Sequence, residues 1–222
     1  MSVTIREQSE QLKLAAAEHL PPGVVEVFDR SIHDLVDQGV PTGVVTVGDI
    51  LESFTLSDAI GMPVTLAQLV ESGPAVVVFY RGGWCPYCNL ALRTYQQELL
   101  PELGAFDARL VAVSPQSPDQ SLSTAEKAAL DFTVLSDPAN RVAQQIGIAF
   151  QQADEVLDAQ RTLGLDLAQV NAEGSTGLPR PTVLIVDQGR TVRFLDVQPD
   201  YTARTEVADI LAALADLGTS KT

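Results

Sequence analysis

The stretch Ala75-Val76-Val77-Val78-Phe79-Tyr80-Arg81-Gly82-Gly83-Trp84-Cys85-Pro86-Tyr87-Cys88 decides how this 222-residue chain is read. Its first six residues form a continuous apolar, largely β-branched run, the pattern of a central strand covered on both faces. Arg81-Gly82-Gly83-Trp84 breaks that run. Pro86 suits the first turn of a following helix, where its missing N–H is not needed. Cys88, Leu92, Tyr95 and Leu99 then fall at i, i+4, i+7 and i+11, the buried stripe of that helix. Leu110-Val111-Ala112-Val113 is the next buried strand, which closes a βαβ unit with a right-handed crossover.

Downstream, Ser123-x-x-Glu126 reads as a capping box for a helix through Leu130. Thr133-Val134-Leu135 is a short strand. Asp137-Pro138 reads as an N-cap with proline at the first helical position, starting a helix to about Ile146. Residues 150–178 form an insertion with a helix expected over 153–169. Thr182–Val186 and Thr191–Val197 are strands joined by the turn Asp187-Gln188-Gly189-Arg190. Val207, Ile210, Leu211, Leu214 and Leu217 share one face of a last helix, with Gly218 as its stop.

Upstream, Ser53–Leu56 is extended, and Thr65 is placed to cap a helix over 66–71. The first 44 residues read as a helical arm. Residues 4–19 are its weaker helix. Val24, Val25, Phe28, Ile32, Leu35 and Val36 stripe a second one, which Gly39 ends. Such a stripe must be buried on its own domain or on a partner, and a homodimer is the expectation, since two-fold pairs are the commonest assemblies.

Composition narrows the function. Fourteen Lys and Arg stand against 29 Asp and Glu, a net charge of −15, and such a surface repels nucleic-acid phosphates and anionic lipid. No run approaches the ~18 apolar residues of a membrane span. The first twenty residues lack the basic and apolar regions of a signal peptide, so the expected address is the cytoplasm. The two histidines, His19 and His33, belong to the arm, far in sequence from the two cysteines, Cys85 and Cys88. They read as surface residues of the arm. A closed zinc site needs about four soft ligands, so no metal is expected. A C-x-x-C pair in a reducing compartment reads as redox chemistry. Buried cysteines acting as small hydrophobes are the plainer alternative. The helix-start spacing, the strand before it and the glycine loop argue against that.

The thiolate is the reacting form of cysteine, and a helix N-terminus favours it through free N–H groups and the helix dipole. Cys85 sits at the helix mouth. Cys88, about 300° further round, lies near the same face one turn in, so the pair can close a disulfide with little movement. Gly82-Gly83 lacks the companions of a phosphate loop and reads as backbone that approaches the substrate closely. Tyr80 and Trp84 are candidate walls of the thiol pocket. Arg81 and Arg93 flank the motif, and Arg81 is the better candidate to act on the thiols.

The order βαβ, an intervening segment, then ββα is that of a thioredoxin-like α/β fold over residues 45–222, with residues 1–44 as its N-terminal extension. FYRGGWCPYC, with FTLSDAIGMPVTL before it and FTVLSDPANRVAQQIGI after it, resembles the alkyl hydroperoxide reductase/thiol-specific antioxidant (peroxiredoxin-like) family over about residues 45–220. The family's Pro-x-x-x-Thr-x-x-Cys loop lays its proline position on Arg81, its threonine on Cys85 and its reactive cysteine on Cys88. A second thiol thus stands where the family has a hydroxyl. The resemblance implies a cis-proline at Pro181, facing the thiols. It also implies an active-site arginine near Arg180, offset by one residue, whose guanidinium would lower the thiol pKa.

The leading expectation is a thiol peroxidase that reduces hydroperoxides through a dithiol/disulfide cycle, with no cofactor. An external dithiol such as a thioredoxin or glutaredoxin would regenerate it. A thiol–disulfide oxidoreductase and a non-enzymatic redox-sensing partner protein remain the alternatives. The helix-end argument makes Cys85 the more exposed thiol and the first to attack. The family alignment gives that role to Cys88.

Overall fold

The computed structural model describes residues 3–121, 124 and 129–219. The run at 75–79 is strand β3 (Ala75–Phe79), with every residue buried. It lies between the parallel β4 (Arg109–Ser114) and the antiparallel β8 (Thr182–Val186), so Val77 faces Val111 on one side and Leu184 on the other. Outside these lie β5 (Thr133–Ser136), β1 (Thr55–Asp58) and β2 (Pro63–Thr65) on one flank and β9 (Val192–Val197) on the other. The sheet order is β2-β1-β5-β4-β3-β8-β9, and β6 (Ala149–Phe150) and β7 (Leu178–Pro179) pair antiparallel as a separate ribbon. Side chains alternate across a strand. Val76 and Val78 therefore meet Cys88, Leu92, Tyr95 and Ile210 on one face, whereas Val77 and Phe79 meet Leu66, Leu69, Val142 and Ile148 on the other.

Helix α4 (Pro86–Thr94) carries the cysteine motif and continues through a π turn (Tyr95–Leu99) and a 3-10 segment (Leu100–Phe106). The expected stripe of Cys88, Leu92, Tyr95 and Leu99 is fully buried. Both arm helices form. Helix α1 (Ile5–His19) starts at a capping box of Thr4 and Glu7, and α2 (Pro22–Gln38) stops at Gly39, whose φ of 66° suits glycine. The arm docks on its own chain. Ile5 enters the core beside α4, and its N–H and that of Arg6 donate to the Glu206 carboxylate at 3.0 and 2.9 Å. Ile32 and Leu35 pack on Tyr201.

Several local expectations change. Asp137 precedes a 3-10 turn (Pro138–Asn140), and α5 (Arg141–Gln145) starts only after it with Asn140 at its N-cap, yet the Asp137 side chain reaches the first turn of α5. The buried carboxylate accepts from the N–H groups of Val142 and Ala143, both at 3.0 Å. The single helix expected over 153–169 is two, α6 (Asp154–Thr162) and α7 (Leu167–Val170), because Gly164 takes a φ of 82° that helices exclude. Thr65 does cap α3 (Leu66–Leu69), in a box with Gln68. Gly218 is no stop, since α8 (Val207–Thr219) runs through it. The capping box of Ser123 and Glu126 lies outside the described residues.

Candidate active site

The chain enters the site at the C-terminal end of β3. Gly82 has a φ of 148°, a conformation that side chains rarely adopt, and its carbonyl accepts from the Cys85 N–H at 3.1 Å. The Gly83 N–H donates to the Gln116 side-chain oxygen at 2.7 Å, and the Asn89 amide donates to the Gly83 carbonyl at 2.8 Å. The loop is thereby pinned both to the end of β4 and to α4. Cys85 is the N-cap of α4, and its carbonyl accepts from the N–H groups of Cys88 and Asn89, both at 3.1 Å. The helix-end placement of the motif therefore holds.

Cys85 is not the exposed thiol that position suggested. It is 1% accessible and Cys88 0%, because the arm and the segment around Tyr201 cover the helix mouth. Both cysteines are free thiols. The decisive cation is Arg204, which sequence reasoning missed. Its Nη2 donates to the Cys88 sulfur at 2.9 Å and lies 3.9 Å from that of Cys85. Arg204 is held by its own loop, donating to the carbonyls of Tyr201 and Ala203. That loop is fixed in turn by the buried Tyr95 hydroxyl, which donates to the Thr205 carbonyl at 2.7 Å.

The electrostatics separate the two thiols. Burial opposes a thiolate at Cys88, but the hydrogen bond from Cys85, the charges of Arg204 and Arg81 and the Arg81 backbone N–H outweigh it. Cys88 is held well below the ordinary thiol range. Cys85 moves the other way, pushed up by burial and then by its hydrogen bond and proximity to Cys88. Burial, then Cys85 and Asp200, push the Tyr87 phenol up to about 12. The buried Tyr80 also stays protonated, raised first by burial, and it neighbours Cys88.

The other expected residues divide. Arg81 joins the site. It is 4% accessible, and its guanidinium carbon lies 4.0 Å from the Tyr201 ring centre and 5.0 Å from that of Trp84. Arg180, also 4% accessible, does not touch the thiols. Its guanidinium stacks 5.2 Å over Phe150, so the active-site arginine that the resemblance implied near Arg180 is not beside the cysteines. No bond among the described residues is cis, so the peptide before Pro181 is trans. The Pro181 carbonyl accepts from Gln198 at 2.9 Å at the head of β8. Trp84 and Cys85 line a cavity of about 590 Å³ together with Arg81, Tyr87, Tyr201 and residues of the arm.

The AhpC/TSA family matches residues 47–195, two thirds of the sequence, from ahead of β1 into the last strand, β9. The chain belongs to the AhpC/TSA family. Among its relatives, it is 33% identical over 106 residues to the chloroplastic peroxiredoxin Q of Sedum lineare, covering 47% of this chain and 55% of that one. It is 30% identical over 101 residues to peroxiredoxin Bcp of Escherichia coli, covering 46% and 64%. The crystal structure of peroxidoxin BcpB from Mycobacterium tuberculosis superposes with a TM-score of 0.62 at 24% identity, over 78% of this chain and 97% of that one, a likeness of fold. The family and the geometry agree on a thiol-dependent peroxidase, with Cys85 and Cys88 placed for a C-x-x-C cycle.

Proposed function

We propose that Cys88 is the attacking thiolate of this peroxidase and Cys85 its resolving thiol. The observation that carries this is the Arg204 guanidinium at 2.9 Å from the Cys88 sulfur. The Cys88 thiolate attacks the terminal oxygen of the hydroperoxide, and the O–O bond breaks. Cys88 becomes a sulfenic acid, and the departing alkoxide takes a proton to leave as the alcohol. Arg204 and Arg81 offer positive charge where that alkoxide develops. Cys85 then bonds to the Cys88 sulfur and water leaves, giving an intrachain disulfide. An external dithiol of thioredoxin or glutaredoxin type takes over the disulfide by exchange and restores both thiols.

Arg180 is left out of this cycle, and Trp84, Tyr80 and the Gly82-Gly83 loop shape its pocket. The reverse order, with Cys85 attacking, has one observation in its favour: Cys85 lines the cavity. One equivalent of peroxide with a sulfenic-acid trap, read by intact mass, separates the two. Cys85→Ser is expected to keep a trapped sulfenate on Cys88, and Cys88→Ser to give none. A sulfenate on Cys85 in the Cys88→Ser variant overturns the order. Reduction of insulin without peroxide turnover would favour a thiol–disulfide oxidoreductase instead. Mild oxidation of the native chain is expected to remove two hydrogens' mass without a covalent dimer. Two free thiols suit a reducing cytoplasm; with the arm docked on its own chain a homodimer is not needed to bury its stripe, and light scattering decides the assembly.

A further inference from the structure

About half of the wall of the cavity beside Cys85 comes from residues that the AhpC/TSA match does not include. That match begins at residue 47, whereas the cavity wall includes Leu20, Val25, Phe28 and Ile32 of the arm. Leu163 and Leu165, from the insertion, line it as well. Hydrogen peroxide needs no such space, being little larger than water, and apolar walls give it nothing to bond. A cavity of about 590 Å³ lies within the range of sites that enclose a sizeable organic molecule, which are mostly apolar with a few placed polar groups. Besides the half-exposed Lys13–Asp29 ion pair and the exposed His19, two buried polar groups line it. Arg81 is pinned between the rings of Tyr201 and Trp84 with its Nε lacking a hydrogen-bond partner, and the buried Gln160 has a side-chain oxygen lacking one.

We propose that the N-terminal arm is the specificity element of this enzyme: Val25, Phe28 and Ile32 form the wall that receives the organic body of a bulky apolar hydroperoxide, with its peroxide group directed to Arg81 and to Cys85, the thiol that lines the cavity and lies against Cys88. This rests on the peroxidase reading. The reaction is the one already written, with the alkoxide carrying the apolar group and leaving as a bulky alcohol.

The test uses the full chain and compares kcat/KM for cumene hydroperoxide with that for hydrogen peroxide, both with dithiothreitol as reductant. Val25→Phe fills the cavity, and the ratio of cumene to hydrogen peroxide is expected to fall about tenfold, through KM for the organic substrate. A general loss of structure would lower both rates and leave the ratio alone. An unchanged ratio in a folded variant overturns the proposal. A second measurement needs no variant. Trp84 is the one tryptophan of the sequence and lines the cavity, so its emission reports occupancy. Titration with 2-phenyl-2-propanol, the alcohol product, is expected to change that emission saturably. The absence of a saturable change overturns the proposal whether or not Val25→Phe folds. If neither peroxide is consumed while the emission still saturates, the peroxidase reading falls and the apolar site stands. If both are consumed at an unchanged ratio and the emission is flat, the site falls and the peroxidase stands.

Discussion

Replacing Arg204 by Gln removes the charge that holds the Cys88 thiolate and keeps an amide that can still donate a hydrogen bond. Two unit charges about 4 Å apart interact by about 4 kcal/mol at the effective dielectric of ~20 that suits protein sites. That is an upper figure, because Arg81 stays in place and continues to favour the thiolate. The expected rise in the Cys88 pKa is about 1–3 units, the range for losing an adjacent opposite charge. Each unit that carries the midpoint above the assay pH costs about tenfold in thiolate, and in the rate that depends on it. The assay is the rate of iodoacetamide alkylation of Cys88 against pH, in a Cys85→Ser background whose hydroxyl can still donate to the sulfur. With Arg204 intact, the rate should be level through neutral pH and fall only as acid protonates the depressed thiol. In Arg204→Gln the fall should begin at higher pH, so that the neutral rate is already reduced. Arg204→Lys should recover part of the shift. An unchanged midpoint in Arg204→Gln would refute the argument, as would a native chain whose more reactive thiol is Cys85.

Glu206→Ala removes the carboxylate that accepts from the first two N–H groups of the arm. It should cost about 1 kcal/mol, seen as faster amide exchange in residues 5–8 before global unfolding. Asp137→Ala leaves two buried N–H groups unpaired at the start of α5 and should cost about 1–3 kcal/mol in urea unfolding. Asp137→Asn keeps one acceptor and should lose less. Leu92→Ala, on the buried face of α4, should cost about 2–5 kcal/mol by the same measurement.

The sheet was legible because its signal is local. The six-residue apolar run at 75–80 has one good home in a βαβ unit, and β3 takes its first five residues, all buried. The C-x-x-C site was legible for the same reason, since strand, glycine loop and helix start are contiguous. What escaped was the partner that arrives from far along the chain. Strand β8 runs antiparallel to β3, and β9 antiparallel to β8, so β9 points the same way as β3. The segment before β8 and the loop after β9 therefore both open at the sheet end where the thiols sit. Arg180 lies on the first and Arg204 on the second, so topology nominates both. Stacking on Phe150 takes Arg180 away, whereas the carbonyls of Tyr201 and Ala203 aim Arg204 at Cys88. Composition held a trace of this, because Arg204 is the one basic residue between Arg193 and Lys221. A lone cation in an acidic, apolar stretch at the thiol end of the sheet is a candidate counter-charge. The exposure of Cys85 was misjudged for a related reason. A helix N-terminus is open only until another part of the chain covers it, and here the arm does so with apolar side chains. The fold thus separates two tasks: α4 and Arg204 set which sulfur is ionised, and the arm sets what can reach it.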